Sequence, residues 1–166
     1  VEMSIADYYL GDSLGYEIPT YANGNNISIT TGFTQSIVLE AFTFNNVSFN
    51  VVPNDLAFSS AVSNIDILLA VDANSNFYVP EFNIDQIGDL NEVSGYKIFL
   101  NGGDSQVLSL DGSPVDASQA ITLEAYTMNL LPYLLQDCMS TSDVFAGFED
   151  NLLVVKSDNN EFYVPD

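Results

Sequence analysis

The sequence predicts a mainly β chain of the α+β class, built from two small repeated units with an N-terminal arm before them. Short apolar runs end at Asn, Gly and Pro residues along most of the chain, a pattern typical of short β-strands joined by turns. The stretch from Leu68 to Pro80 also returns as Leu152 to Pro165. Each copy has an apolar run, an Asn-rich break and an aromatic run closed by proline, which predicts a β-hairpin with a polar tip.

The repeat has a nearly constant spacing. Ile37 recurs as Ile121, an offset of 121 − 37 = 84 residues, whereas Phe77 recurs as Phe162, an offset of 162 − 77 = 85. The extra residue is expected in the polar tip of the second hairpin, where an insertion is tolerated. A constant offset over such a span indicates an internal duplication. It predicts an arm at 1–34, a first repeat with its linking hairpin at 35–116 and a second repeat at 117–166.

Each unit is predicted to contain two extended stretches, one short helix and the hairpin. In the first unit the extended stretches are Ser36–Phe42 and Phe44–Val52. In the second unit, Ser140 and Asp143 have the spacing of a helix capping box. The helix of the first unit is predicted from an i, i+3, i+4, i+7 stripe of apolar residues, which is Phe58, Ala61, Val62 and Ile65.

A linking hairpin is predicted between the units. Tyr96–Leu100 and Gln106–Leu110 form its strands, and Asn101–Asp104 forms its turn. Asp111–Pro114 is predicted to be a further turn. The repeat also predicts that equivalent apolar residues are buried in both units: Leu39 with Leu123, Leu68 with Leu152, and Phe77 with Phe162.

The acidic composition excludes several classes of partner. The chain has 23 Asp and Glu residues against two Lys and no His, for a net charge of −21. Nucleic acids and anionic membranes require basic surfaces, so neither is an expected partner. No apolar run reaches the roughly 18–20 residues of a membrane span. Such acidity is typical of solubility in a salty medium, and bridging of acidic surfaces by divalent cations is the alternative.

Few residues of the sequence are suited to catalysis. The chain has no His, the commonest general base. The single cysteine, Cys138, lies between Asp137 and Met139, which offer no positive charge to stabilise a thiolate, and it excludes an intrachain disulfide. We therefore expect neither enzyme activity nor a cofactor.

The tip of the first hairpin is a weak candidate for a metal site. Asp72, Asn74 and Asn76 place oxygen atoms at alternate positions, as in the first half of an EF-hand loop. The glycine and the closing glutamate of that loop are absent, and the second tip does not keep the spacing. The pattern favours an Asn-rich turn, with calcium binding as the alternative.

Two further modifications are suggested by short motifs. Lys97 and Lys156 are the only residues that could form an isopeptide bond with Asn or Asp, although salt bridges to neighbouring acids are the favoured interpretation. Sequons for N-glycosylation begin at Asn26 and Asn46. Ser13, which lies between an acid and an apolar residue in a Gly-flanked turn, is the preferred glycosylation candidate.

Several motifs resemble a tandem β-rich module of secreted and cell-surface proteins of Bacteroidota, many of them cargo of the type IX secretion system. In that family Gly-Trp-Asn-x-Ile-Ser is followed by a short helix, Asn-Leu-Val-x-Val-Lys-Asp and Tyr-x-Pro. This chain departs from the pattern where Gly-Trp is replaced by Thr43-Phe44 and by Thr127-Met128. The similar stretches are Thr43–Val51, Gly95–Ile98, Thr127–Leu134, Asp150–Lys156 and Phe162–Pro165.

The resemblance implies a non-enzymatic structural or adhesive module of an extracellular surface protein. The chain opens at Val1 rather than Met, which is typical of a processed secreted chain or of an excised fragment. We expect it to associate with further copies, head to tail in a filament, or with neighbouring modules of a longer protein. Tyr16, Ile18 and Tyr21 in the arm are the candidates for self-assembly. The alternative is a carbohydrate-binding accessory module of a secreted enzyme, with exposed Tyr residues as stacking platforms.

Overall fold

Strands dominate residues 32–165, the part of the chain that the structure, a computed structural model, describes. Two α-helices of four residues, α1 (Phe58–Ala61) and α2 (Thr141–Val144), accompany them. The predicted mainly β fold of the α+β class is confirmed. None of the helices in this range is long and apolar enough to cross a membrane. The strands are β1 (Phe33–Leu39), β2 (Phe44–Ser48), β3 (Val51–Val52), β4 (Ile67–Asp72), β5 (Phe77–Val79), β6 (Ile84–Asp85), β7 (Gly95–Leu100), β8 (Gln106–Pro114), β9 (Val155–Lys156) and β10 (Phe162–Tyr163).

The consecutive strands β7 and β8 hold the first unit together, but the predicted linking hairpin is wrong, because the two strands lie in different sheets and do not pair with each other. Strand β7 lies between β2 and β4 in a five-stranded sheet of order β2-β7-β4-β5-β6. Strand β8 lies in the middle of a three-stranded sheet of order β1-β8-β3. All of these pairings are antiparallel. Two consecutive strands therefore supply one interior strand to each sheet.

The core lies beneath β7 and β8 because the side chains of both strands alternate between buried and exposed. Tyr96, Ile98 and Leu100 of β7 are buried, while Lys97 between them is exposed. In β8, Leu108 and Leu110 are buried in the same way. They pack in one cluster with residues of the first two extended stretches and of α1. In the second extended stretch Val47, Phe49 and Val51 are all buried, so this stretch also turns one face to the core.

An aromatic group around α1 forms the centre of the core. The ring of Phe58 lies 5.2 Å from that of Tyr96 and 5.4 Å from that of Tyr78. The backbone N–H of Phe58 donates to the carbonyl of Gly88 at 2.8 Å, which fixes the start of the helix. The Tyr96 hydroxyl accepts a hydrogen bond of 2.8 Å from the N–H of Asn91, and burial raises the pKa of that hydroxyl.

The predicted burial of the hairpin residues is wrong at three positions. Leu39 is fully buried as expected, but Leu68 is 40% exposed, Phe77 42% and Phe162 66%. Leu123 and Leu152 are half-buried. The register of β4 against β7 shifts between Ile67 and Leu69, and this bulge turns Ile67 and Ala70 inward and Leu68 outward. A strict alternation does not anticipate such a shift.

The second unit does not fold as a copy of the first. It has α2 and the hairpin β9–β10, but no strand is present between 115 and 154, where the repeat predicts two. In the first unit the corresponding strands, β1 and β2, pair with β8 and β7. No hairpin within the described range pairs with their counterparts near Leu123 and Leu131. Strands need partners, so these segments stay irregular.

The linking segment also differs from the prediction. Asp111–Pro114 is not a turn, because β8 continues through it and pairs with β3 at Val52 and Val51. The two hairpin tips have equal lengths, because Val71 pairs with Phe77 and Lys156 pairs with Phe162. The extra residue of the second copy therefore lies before β9 rather than in the tip.

Local turns nevertheless recur between the two units. The Asn45 amide accepts from the N–H of Glu40 at 2.7 Å and donates to the carbonyls of Glu40 and Thr43. Asn129 makes the same three bonds with Glu124 and Thr127. Phe42 and Tyr126 inside these turns have nearly equal positive φ angles of 62° and 61°. The repeated sequence thus produces repeated turns even where it does not produce repeated strands.

The two asparagines differ in one bond, which gives a matched comparison. Asn45 also donates to the carbonyl of Ile98 in β7 at 3.2 Å and is buried, whereas Asn129 is half-buried. We expect Asn45→Ala to lower the free energy of unfolding by about 1–3 kcal/mol and Asn129→Ala by about 1 kcal/mol or less. Urea denaturation of both variants tests this. An equal loss at the two positions would show that the bond to β7 contributes nothing.

Candidate functional site

Several sequence-predicted residues lie outside the range that the structure describes. Ser13, Tyr16, Ile18, Tyr21 and the sequon residue Asn26 all fall within residues 1–31. The glycosylation and self-assembly candidates among them stay predictions.

The tip of the first hairpin uses its carboxylate to close the turn. Asp72 Oδ1 accepts from the N–H groups of Asn74 and Asn76, both at 2.8 Å, and Oδ2 accepts from Asn76 Nδ2 at 2.8 Å. Ser75 in this tip has a positive φ of 67°. Within residues 32–165, no group of three or more His, Cys, Asp or Glu side chains is arranged to hold a metal ion. The oxygen spacing is thus explained by an Asn-rich turn.

The second hairpin tip repeats this turn with other residues. Ser157 Oγ accepts from the N–H of Glu161 at 3.1 Å, and Asn160 has a positive φ of 61°. The next residue, Asp158, points away from the turn. Its Oδ1 accepts from the backbone N–H of Asn46 at 3.1 Å and from Asn46 Nδ2 at 2.8 Å. This contact attaches the second hairpin to β2 and also engages the side-chain amide of the second sequon.

A cleft of about 230 Å³ lies at this contact. It contains both of the chain's basic side chains, Lys97 from β7 and Lys156 from β9. The Phe44 side chain, exposed at 45%, forms part of its wall and packs edge-on against Phe99 with the ring centroids 5.2 Å apart. The cleft is lined by Thr43, Phe44, Asn46, Lys97, Lys156, Asp158 and Asn160. In a chain of net charge −21, this is where positive charge is concentrated.

The second candidate site is a set of apolar side chains on the second unit, which we call the uncovered set. Each member occupies the repeat position of a residue that packs in or against the core of the first unit. None of them belongs to a buried core, because all are half-buried or exposed. The set consists of Leu123, Leu131, Tyr133, Leu135, Val144, Phe145 and Phe148. At the offset of 84 residues, the first four have Leu39, Val47, Phe49 and Val51 as counterparts. When α1 and α2 are aligned at their first residues, an offset of 83, the last three have Ala61, Val62 and Ile65 as counterparts.

Polar contacts hold the backbone of the uncovered set in place. The N–H of Tyr133 donates to Ser48 Oγ at 3.1 Å, and Asn50 Nδ2 donates to the carbonyl of Leu135 at 3.3 Å. Gln136 Nε2 donates to the carbonyl of Asn50 at 2.7 Å. Pro132 and Leu134 are buried. Tyr133 between them is exposed, and its hydroxyl donates to the carbonyl of Asp137 at 2.5 Å.

Neither site was predicted from the sequence. Lys97 and Lys156 are far apart in the chain, and their strands meet where Asp158 contacts Asn46. The signal for the cleft was that these are the chain's two basic residues. The signal for the uncovered set was that the strands now seen as β7 and β8 occur once, between the two repeats. Only one repeat can therefore pair with them.

Comparisons with protein-family models, with curated proteins and with solved structures found no match for this chain.

Proposed function

We propose that the chain is a non-enzymatic structural module of an extracellular surface protein, and that its second unit binds another protein chain. The observation that supports this is the uncovered set. Seven apolar positions that pack in or against the core in the first unit are half-buried or exposed in the second. Apolar groups left uncovered on a surface favour association with another protein chain.

The proposed partner is a further copy of the same module, and the contact is head to tail. The uncovered set belongs to the second unit alone, so the contact joins two different surfaces. Such a heterologous contact does not close on itself and builds a filament. The resemblance to tandem modules of secreted Bacteroidota proteins supports the extracellular and structural parts of the proposal. The strongly acidic surface is compatible with a salty exterior.

Sedimentation velocity across a range of salt concentrations tests this function. Copies of charge −21 repel each other, and salt screens that repulsion over roughly 8–10 Å near physiological ionic strength. We therefore expect association to strengthen from low salt to marine salt. Tyr133→Ser combined with Phe148→Ser should keep the protein monomeric. Val38→Ser, an exposed apolar residue of the first unit, is the matched control and should associate like the unchanged protein.

The same experiment can contradict the proposal. If the protein stays monomeric at every salt and protein concentration, self-association is excluded. Equal association of the double variant and of Val38→Ser would show that the uncovered set is not the contact.

The cleft favours a second candidate function, the binding of carbohydrate by an accessory module. An exposed aromatic ring, amide groups and a carboxylate are the groups that bind sugars, and the two lysines would favour an acidic sugar. We expect carboxylated oligosaccharides to bind and neutral ones to bind at least tenfold more weakly in calorimetric titration. Phe44→Ala should weaken binding, and Phe82→Ala, at an exposed ring elsewhere, should not. No binding of either class would exclude this candidate.

A further inference from the structure

The five-stranded sheet has an apolar surface on the side that faces away from the core. Its inward side chains, such as Tyr96 and Ile98, pack in the core cluster. Side chains alternate along a strand, so the residues between them point outward. Directly opposed residues share a face, so Phe44, Phe99 and Leu69 form one outward row across β2, β7 and β4. The rings of the two phenylalanines lie 5.2 Å apart, which shows that this row is packed together.

A second outward row runs across four strands. Asn46 of β2, Lys97 of β7, Val71 of β4 and Phe77 of β5 are opposed in turn. Lys97 is the one charged residue in the two rows. The apolar members of both rows, which are all half-buried or exposed, are called the outer sheet face: Phe44, Leu69, Val71, Phe77 and Phe99.

The strand sequences are typical of a sheet that is covered on both sides. Residues 67–71 of β4 contain no polar side chain, and β5 (Phe77–Val79) is wholly apolar or aromatic. Continuous apolar runs are found in strands with two covered faces, whereas strands with one solvated face alternate apolar and polar residues. The three-stranded sheet gives the contrast, because Thr34 on its outward side donates to the carboxylate of Asp111. The outer sheet face therefore has the composition of an interface.

The charges beside the outer sheet face are opposite in sign to those beside the uncovered set. Lys97 lies in the middle of the outer sheet face, and Lys156 lies across the cleft from it. The segment that carries the uncovered set, from 115 to 155, contains no Lys or Arg. Glu149 and Asp150 directly follow Phe148, a member of that set. The chain thus has two apolar surfaces with complementary charges beside them.

We propose that the outer sheet face of one copy binds the uncovered set of the next copy, with Lys97 against Glu149 and Asp150. Both surfaces are half-buried or exposed in a single copy, and each covers the other when copies follow in a row. Apolar side chains form the middle of the contact, and the opposite charges fix its orientation. Because the two surfaces differ, the contact does not close on itself.

The inference rests on the proposed function, in which the uncovered set binds a further copy. It goes beyond that function by assigning the surface that receives the uncovered set and the charges that orient it.

Photochemical cross-linking tests the receiving surface directly. In a Cys138→Ser background, Phe77→Cys carries a benzophenone on its thiol, and this protein is mixed with an isotope-labelled chain that has only Cys138→Ser. At marine salt the probe should join a labelled copy, and mass spectrometry should place the link in the uncovered set. Val38→Cys is the control, because Val38 is 62% exposed on the outward side of the three-stranded sheet. Its probe should join far fewer labelled copies.

A serine substitution tests the packing of the outer sheet face. Phe77, which is 42% exposed, would be covered in the contact. Phe77→Ser should therefore weaken association in sedimentation velocity about tenfold. Val107→Ser, at a residue of β8 that is 51% exposed, is the control and should stay within about twofold of the unchanged protein. Equal association of the two variants would contradict the contact.

Removing the acids tests the orientation independently of the net charge. Glu149→Gln with Asp150→Asn changes the net charge to −21 + 2 = −19, which alone would reduce repulsion and strengthen association. The contact predicts the reverse, about two- to fivefold weaker association, because Lys97 loses its partners. Asp89→Asn with Asp104→Asn removes two exposed acids elsewhere and should associate at least as strongly as the unchanged protein.

Removing the lysine gives the converse test. Lys97→Gln and Ser63→Asp each change the net charge to −21 − 1 = −22, and Ser63 is an exposed residue of the first unit. Since the net charges are equal, the contact predicts about two- to fivefold weaker association for Lys97→Gln than for Ser63→Asp. Equal association would show that Lys97 does not lie in the contact.

The outcomes separate the inference from the proposed function. If copies associate but the probes at Phe77→Cys and Val38→Cys join labelled copies equally often, the receiving surface is wrong and the structural function stands. If the probe at Phe77→Cys links only to its own chain, that chain occupies the outer sheet face and the inference is overturned. If copies do not associate at any salt concentration, the proposed function fails and the inference fails with it.

Discussion

Replacing Phe58 with alanine is expected to lower the free energy of unfolding by about 3–5 kcal/mol, the cost of removing a large buried side chain. Phe58 is fully buried and its ring contacts those of Tyr96 and Tyr78. The cavity would lie between α1 and the central strand β7, where neither element can move inward without breaking strand pairs. A whole domain is stable by about 5–15 kcal/mol, so this one change removes a large share.

Phe82→Ala is the matched control, because the Phe82 side chain is 69% exposed. Its effect is expected within about 0.5 kcal/mol. Urea denaturation followed by circular dichroism, at low salt to limit association, measures both variants. Similar losses for Phe58→Ala and Phe82→Ala would contradict the position of the core beneath β7.

Gly112→Ala is expected to have an effect of similar size through crowding rather than through a cavity. A Cβ atom at Gly112 would lie 2.2 Å from the carbonyl oxygen of Val52 and 2.9 Å from the nitrogen of Pro53. Both are backbone atoms, so no side-chain rotation relieves the contact, and β8 must move away from β3. We expect a loss of about 3 kcal/mol, at the upper end of the cost of overpacking.

Gly103→Ala provides the control for Gly112→Ala. Its Cβ would lie 3.4 Å from the ring of Phe42, an ordinary contact with a movable side chain. This variant should be neutral or slightly more stable, since alanine restricts the unfolded chain. Amide exchange at Val115, whose N–H donates to the carbonyl of Asn50 at 3.0 Å, reports locally on the β3–β8 junction. Unchanged exchange in Gly112→Ala would contradict the close approach.

The elements that local sequence determines were predicted well. Strands were expected at Tyr96–Leu100 and Gln106–Leu110, and β7 and β8 contain these residues, although the two strands do not pair with each other as a hairpin. The capping residue Ser140 was also identified, and its Oγ accepts from the N–H of Asp143 at 3.2 Å. Turn chemistry, alternation and capping act over a few residues, so they are visible in the chain without its fold.

The features that depend on a partner strand were not predicted. Leu68 turns outward because the register of β4 on β7 shifts beside it. The stretches around Leu123 and Leu131 have strand-like sequences but no partner within the described range, and β propensity does not form a strand alone. The candidate sites were not predicted for a similar reason. The uncovered set exists because its segments have no partner strand within the described range. The cleft exists because two strands that are distant in the sequence meet.

The position of β7 and β8 inside the two sheets also determines when the first unit can fold. Phe33 of β1 pairs with Gly112 of β8, which lies 112 − 33 = 79 residues further along the chain. Contacts of such long range slow folding, because the loop between them must be closed first. During synthesis, β1, β2 and β3 stay without the strands they pair with until β7 and β8 have emerged. The unit therefore folds late and nearly at once, and its apolar strands need protection from aggregation until that moment.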